Sequence, residues 1–368
     1  MVNSNSIIEF YRKSIVSGIV TDCVYNSTND VGEKVKVRVW PTWKTKTHEL
    51  LNFNDSTTTQ TKAERVFLLG EHLREILYSS NTNTSRDQDE VSSGGYLWER
   101  LVTYYLNLCL CNSRTVVFIG PSNIDSLHKA MSFNGMDSAS EVDLLAVTFP
   151  DNELFTGDKS IAIETLKQQH PNDDNLPEEL ACIYSRRIRK EETRIERLTN
   201  YLATYYFKDF EAHVLQCKTN WNDSIQAPML WSLIYYLSRD GITLPTGSNI
   251  KFGSGLYTLP RLKNFSYSFV TVPTQNNGDY EEDPEKAAKK REEFYKSFSE
   301  DRLPVKRGKL IRGGYYWGLP KYNTINPIHE LLNTNLQSGF EEGHCVEHIQ
   351  RLIENNTYTT DAAYFDFF

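Results

Sequence analysis

An α/β fold is what this sequence predicts, on three observations. Residues 115–119, 141–149, 212–217 and 265–272 are short β-branched or apolar runs of strand length. Residues 96–111 carry apolar side chains at helical spacing, at positions 97, 98, 101, 102, 105, 106 and 108. A long, charged, mainly helical stretch, 151–210, separates the second strand from the third. In order the elements read helix, strand, strand, helical insertion, strand, helix, strand, which is αβββαβ with an insertion. A chain of 368 residues forms one large domain or two intimate ones, and we expect one core with substantial insertions.

Each element has a local reason. The polar runs 55–61 and 79–93 read as loops, and the second delimits the core at Gly94-Gly95. Thr115 to Ile119 closes on Gly120-Pro121, a strand followed by a turn, and residues 141–149 end at Pro150. Within the insertion, Pro177-Glu178-Glu179 is a helix start, and the charged run 186–197 leads into a further helix. Residues 212–217 read as a buried strand that breaks in the polar turn 219–223. Residues 225–237 form a helix entered through Pro228.

Composition narrows the class without fixing it. The chain is 39% apolar, 12% aromatic and 24% charged, which excludes wholesale disorder. No run approaches the ~20 apolar residues a membrane span needs, so we expect a soluble, cytoplasmic protein with no membrane partner. Cysteines 23, 109, 111, 182, 217 and 345 are scattered and read as reduced thiols. A net charge of −8 argues against unspecific coating of nucleic acid. It leaves room for a local basic groove built from segments such as 186–190, 286–291 and 306–312.

Three segments carry candidate chemistry. Asp143 interrupts an apolar strand, where an unpaired carboxylate is costly; it takes a cation or strong partner, or else caps the strand end in solvent. Gln216 and Lys218 lie two apart on a strand and share a face, converging on one site or lining a solvated edge, while the Cys217 side chain packs and leaves its carbonyl for a metal. Glu99, in Trp98-Glu99-Arg100, is a further ligand or one half of an exposed ion pair. Hard oxygen donors beside a lysine suit magnesium and phosphodiester hydrolysis, in which a cation polarises the phosphoryl oxygen and a lysine orients water or stabilises developing charge.

This pattern resembles the PD-(D/E)XK nuclease superfamily, most nearly its type II restriction endonucleases, over about residues 94–272. The resemblance implies a restriction-endonuclease-like αβββαβ core, a mixed central sheet flanked by helices, with terminal extensions. It makes Asp143 the aspartate ligand, Lys218 the catalytic lysine and Glu99 the carboxylate that some members supply from the preceding helix. Gln216 stands where the family usually has an acidic residue, as in some members, and no proline precedes Asp143. The segment after Lys218, with Asn220 and Asn222 expected at DNA, is similar to the one that follows the lysine strand in several restriction enzymes. The implied activity is site-specific, magnesium-dependent cleavage of double-stranded DNA, with manganese able to substitute, by a homodimer matched to a palindromic site. Another nuclease of this core, serving transposon ends, repair or phage defence, and a catalytically inert DNA-binding protein are the alternatives.

The remaining segments are assigned by exclusion. We expect residues 1–93 and 273–368 to supply recognition and dimerisation around a core at 94–272. In the second of these, Lys306, Arg307, Lys309, Arg312 and Lys321 are candidate DNA contacts, the 311–321 segment being alternatively a turn with packed aromatics. The 186–197 run is a solvated helix face or lies along the DNA backbone. His344 and His348 flank Cys345 at helical spacing, which suits zinc, but no second ligand pair completes a site and an ordinary helix is expected.

Overall fold

The computed structural model describes residues 2–28, 32–53, 56–80, 88–132, 142–169, 190–218, 242–243, 249–250, 253–271, 315–318, 321–341 and 343–367. Helix α1 (Ile7–Asp22) starts where the Ser6 hydroxyl accepts the Glu9 amide at 3.1 Å. Strands β1 (Val24–Thr28) and β2 (Lys34–Arg38) pair as an antiparallel ribbon. Helices α2 (Trp40–Leu51), α3 (Thr59–Leu68), α4 (Leu73–Ser79) and the long α5 (Gln88–Cys109) follow. Next come β3 (Thr115–Ile119), α6 (Asp125–Ala130), β4 (Leu144–Thr148), α7 (Glu153–Thr156), α8 (Lys159–Gln169), α9 (Glu191–Tyr206) and β5 (Glu211–Lys218). The short pair β6 (Ile242–Thr243) and β7 (Asn249–Ile250), then β8 (Asn264–Thr271), β9 (Tyr315–Gly318), β10 (Lys321–Pro327) and α10 (Cys345–Glu354) complete the order.

The central sheet runs β10-β9-β8-β5-β4-β3. It is mixed: β3, β4 and β5 are antiparallel neighbours, β5 and β8 are parallel, and β8, β9 and β10 are antiparallel. Alternation of side chains sorts the strands onto two cores. Val117, Leu144, Ala146, Leu215, Cys217 and Val270 face α5 and the carboxyl-terminal helical region. Val116, Phe118, Leu145, Val147, Val214 and Tyr267 face the opposite layer, which includes α6, α7 and α9. Helix α1 spans both, with Ile7, Ile8 and Tyr11 in the second core and Val16 and Ile19 in the first.

The outer edge of β3 is closed by side chains. Asn107 of α5 donates to the Val117 carbonyl at 2.9 Å and accepts the Val117 amide at 3.1 Å. Arg12 of α1 donates to the carbonyls of Thr115 (2.9 Å) and Ser113 (2.8 Å). These bonds occupy groups that an edge strand would otherwise offer to another chain.

Several expectations are corrected by this architecture. Helix α5 begins at Gln88, so Gly94-Gly95 lies inside a helix and does not punctuate it; tertiary packing outweighs the ~1 kcal/mol that each helical glycine costs. The polar run 55–61 gives way to α3, whose start is capped by the Thr58 hydroxyl. Within the 311–321 segment, read as a DNA contact or a turn with packed aromatics, Tyr315–Gly318 form a strand paired with β8 and Lys321 opens β10. Described residues of 1–93 pack into both cores, and those of 273–368 pack into the first core and supply β9 and β10 to the sheet. The helix start at Pro177 and the helix over 225–237 lie outside the described residues. Cys23, Cys109, Cys111, Cys217 and Cys345 are buried and form no disulfide. Among the described residues, no helix is long and apolar enough to cross a membrane.

Candidate functional site

The β4–β5 register positions the candidate residues. Leu144, the first residue of β4, lies opposite Leu215, so Asp143 is one step further, opposite Gln216. By alternation Asp143 falls on the side of Leu145, and Gln216 on the side of Val214, both toward the second core. Asp143, inside the strand expected over 141–149, lies just before β4, which begins at Leu144; the Asp143 carbonyl accepts the Gly120 amide at 2.7 Å. Its Oδ2 accepts the Cys217 amide at 2.7 Å. The carboxylate thus stands at the end of the β4–β5 pair, fixed by the backbone of the neighbouring strand.

Gln216 is 6% exposed, and its Oε1 has no hydrogen-bond partner among the described residues. A buried amide oxygen in that condition costs about 1–3 kcal/mol unless a donor or cation meets it. The Cys217 side chain packs in the core beneath α5 with Leu215 and Val270, as expected. Its backbone N–H and C=O leave the strand on the side of Asp143, since both groups of a strand residue point the same way. Lys218 is the last residue of β5, in register with Thr271 of β8.

Glu99 occupies a different layer. Its neighbour Trp98 is fully buried in the first core, with the indole Nε1 donating to the Val270 carbonyl at 3.5 Å. Helix α5 therefore covers the sheet face opposite to Gln216. The Glu99 carboxylate, 26% exposed, lies 3.8 Å from the Arg100 guanidinium, which stacks on the Tyr96 ring. The ion pair that the sequence left open is thus present. Lys306, Arg307, Lys309, Arg312, Asn220 and Asn222 lie outside the described residues, and Lys321 is placed only as the first residue of β10.

Motif reasoning does not single out His213, although a histidine within Ala212-His213-Val214-Leu215 is a visible signal. Its ring is buried on the α5 face, with Nδ1 hydrogen-bonded to the Ser266 hydroxyl and Nε2 without a partner among the described residues. Burial lowers its pKa from 6.5 to about 3, so it stays neutral. His344, Cys345 and His348 do not converge. His344 caps α10 with Glu347, Cys345 is buried near the Cys109 carbonyl, and the His348 ring bonds the Cys111 carbonyl at 2.6 Å. Among the described residues no three His, Cys, Asp or Glu side chains gather as for a metal ion; Asp143 and the Gln216 amide oxygen are the described side-chain oxygens that meet across the β4–β5 register. No protein-family model, curated protein or solved structure matches this chain.

Proposed function

We propose that this chain is a magnesium-dependent endonuclease of double-stranded DNA, of the site-specific type II restriction class, with its centre at Asp143, Gln216 and Lys218. The observation that carries the proposal is the pairing of a strand-end carboxylate with a buried, unpartnered amide oxygen directly across the β4–β5 register. Three further features support it. Within the sheet, β3, β4 and β5 are antiparallel neighbours and β8 lies parallel to β5, an arrangement compatible with an αβββαβ core. The Cys217 peptide is turned toward Asp143. Lys218 follows Gln216 by two residues on the same strand.

The donor set suits a hard cation: a carboxylate, an amide oxygen and a peptide carbonyl are magnesium ligands, with waters and substrate phosphate completing the shell. Magnesium held there would polarise the scissile phosphoryl oxygen and lower the pKa of a bound water. Asp143 and Gln216 would hold the ion, and Lys218 would orient the water or offset charge on the leaving oxygen. Glu99 is assigned no direct contact, given its place on the other face beside Arg100.

The test is digestion of a sequenced plasmid with magnesium or manganese and mapping of fragment ends. The expected result is a discrete set of ends, cleavage abolished by Asp143→Ala and by Lys218→Ala with duplex binding retained, and Glu99→Gln cutting within about tenfold of the parent, as expected for a group outside the charge-stabilising set. Cleavage surviving both Asp143→Ala and Lys218→Ala would refute the site. A second reading, a DNA-binding protein that does not cut, is favoured by the neutral Gln216 and by the engagement of Asp143 Oδ2 with the Cys217 amide. Binding without cleavage in any divalent ion would select it.

A further inference from the structure

The segment Lys34-Val35-Lys36-Val37-Arg38 alternates basic and apolar residues. In β2 this period of two separates the side chains onto opposite faces of the ribbon. Val37 pairs with Tyr25 on the face that packs inward, Tyr25 resting on the core around α5, and both are half-buried. Lys36 and Arg38 pair with Asn26 and Val24 on the other face and are exposed. Some surface cations of this acidic chain face carboxylates, as Lys44 does Asp366 at 2.7 Å, Lys46 Glu49 at 3.2 Å and Lys263 Glu211 at 2.9 Å. Lys36 and Arg38 have no carboxylate partner among the described residues.

The position of the ribbon gives these charges a direction. Strand β1 packs on α5, and a cavity of about 490 Å³ is lined by Asp22, two residues before β1, by Tyr96 and Arg100 of α5, and by Ile119 and Pro121. Those two residues flank Gly120, whose amide is held by the Asp143 carbonyl. The ribbon therefore lies at the same end of the sheet as Asp143 and Gln216. A two-stranded antiparallel ribbon fits the width of the DNA major groove, and unpaired cations on such a ribbon meet phosphates with release of counterions.

We propose that the β1–β2 ribbon binds double-stranded DNA, with Lys36 and Arg38 on backbone phosphates beside the Asp143–Gln216 end of the sheet; the proposal rests on the nuclease reading above. The test measures binding of the full chain to a mixed-sequence duplex, without divalent ions, by fluorescence anisotropy from about 50 to about 200 mM salt. Lys36→Gln/Arg38→Gln should weaken binding at least about tenfold and reduce the log–log salt slope by about 2, one for each phosphate that is no longer neutralised. Lys208→Gln, in the turn before β5 at the opposite end of the sheet, should change neither. Both variants alter exposed side chains, and unchanged thermal unfolding excludes loss of fold as the cause. If the parent binds duplex and the double variant matches it in affinity and slope, the ribbon assignment is overturned while the nuclease reading stands. If the parent neither binds duplex nor cuts the plasmid, both fall. Equal weakening in the Lys208→Gln variant would overturn the assignment in favour of a general charge effect.

Discussion

Arg12 shows how one residue ties distant parts of the chain together. Its guanidinium is fully buried, its Nε bonds Glu9 at 2.9 Å, and its other nitrogens hold the carbonyls of Ser113 and Thr115. Glu9 in turn accepts the Asn112 amide at 3.0 Å and the Tyr364 hydroxyl at 2.8 Å. Helix α1, the start of β3 and the carboxyl-terminal segment thus meet at one buried ion pair. Removing one member of such a pair leaves a buried charge uncompensated, so Arg12→Ala should lose about 3–5 kcal/mol in urea unfolding. The double change Glu9→Gln/Arg12→Met should lose less than Arg12→Ala alone, because no unpaired charge remains; a larger loss would mean that the hydrogen bonds of Glu9, not its charge, dominate.

At the scale of elements, Gly339 seats the carboxyl-terminal region against β3. Its carbonyl accepts the Arg114 amide at 2.9 Å, and a methyl at Gly339 would collide with the Thr115 hydroxyl and come within 2.9 Å of the Thr115 Cβ. That hydroxyl is already bonded to Thr148 at 2.7 Å. Gly339→Ala should therefore destabilise by about 1–3 kcal/mol. Gly18→Ala, in helix α1 with open space around it, should be neutral or stabilise by up to about 1 kcal/mol; thermal melts of the pair check both signs. The sequence made some elements legible and hid others for physical reasons. Strands β3, β4, β5 and β8 were readable because β-branched runs in a buried sheet have few other uses, and alternation alone puts Gln216 on the side of Val214. Strands β9 and β10 were not, since the Gly-Gly and Gly-Leu-Pro around Tyr315–Gly318 carry a turn signal. The layer occupied by Glu99 was also invisible, because a helix pattern gives its apolar stripe but not which sheet face receives it. Lys36 and Arg38 are written in the sequence as a period-two basic strand, distinct from the contiguous basic clusters elsewhere in the chain.

For the whole molecule, buried imidazoles link stability to acidity. Burial lowers the pKa of His213 from 6.5 to about 3 and that of His348 from 6.5 to about 4. In the unfolded chain both rings titrate near 6.5, so below that pH the unfolded state binds more protons than the folded one. Stability is complete above about pH 6.5 and declines as pH falls toward the folded values. Urea midpoints should drop steadily from about pH 7 to about pH 4.5, and His213→Asn should flatten part of that slope; an unchanged midpoint over this window would contradict the burial of neutral rings. The sealing of β3 by Asn107 and Arg12 has a consequence of another kind. A peptide or a second copy seeking to extend the sheet by strand addition at β3 would have to displace Asn107 and Arg12 from the backbone groups they hold. At that margin the fold resists addition through its own buried side chains and needs no covering strand.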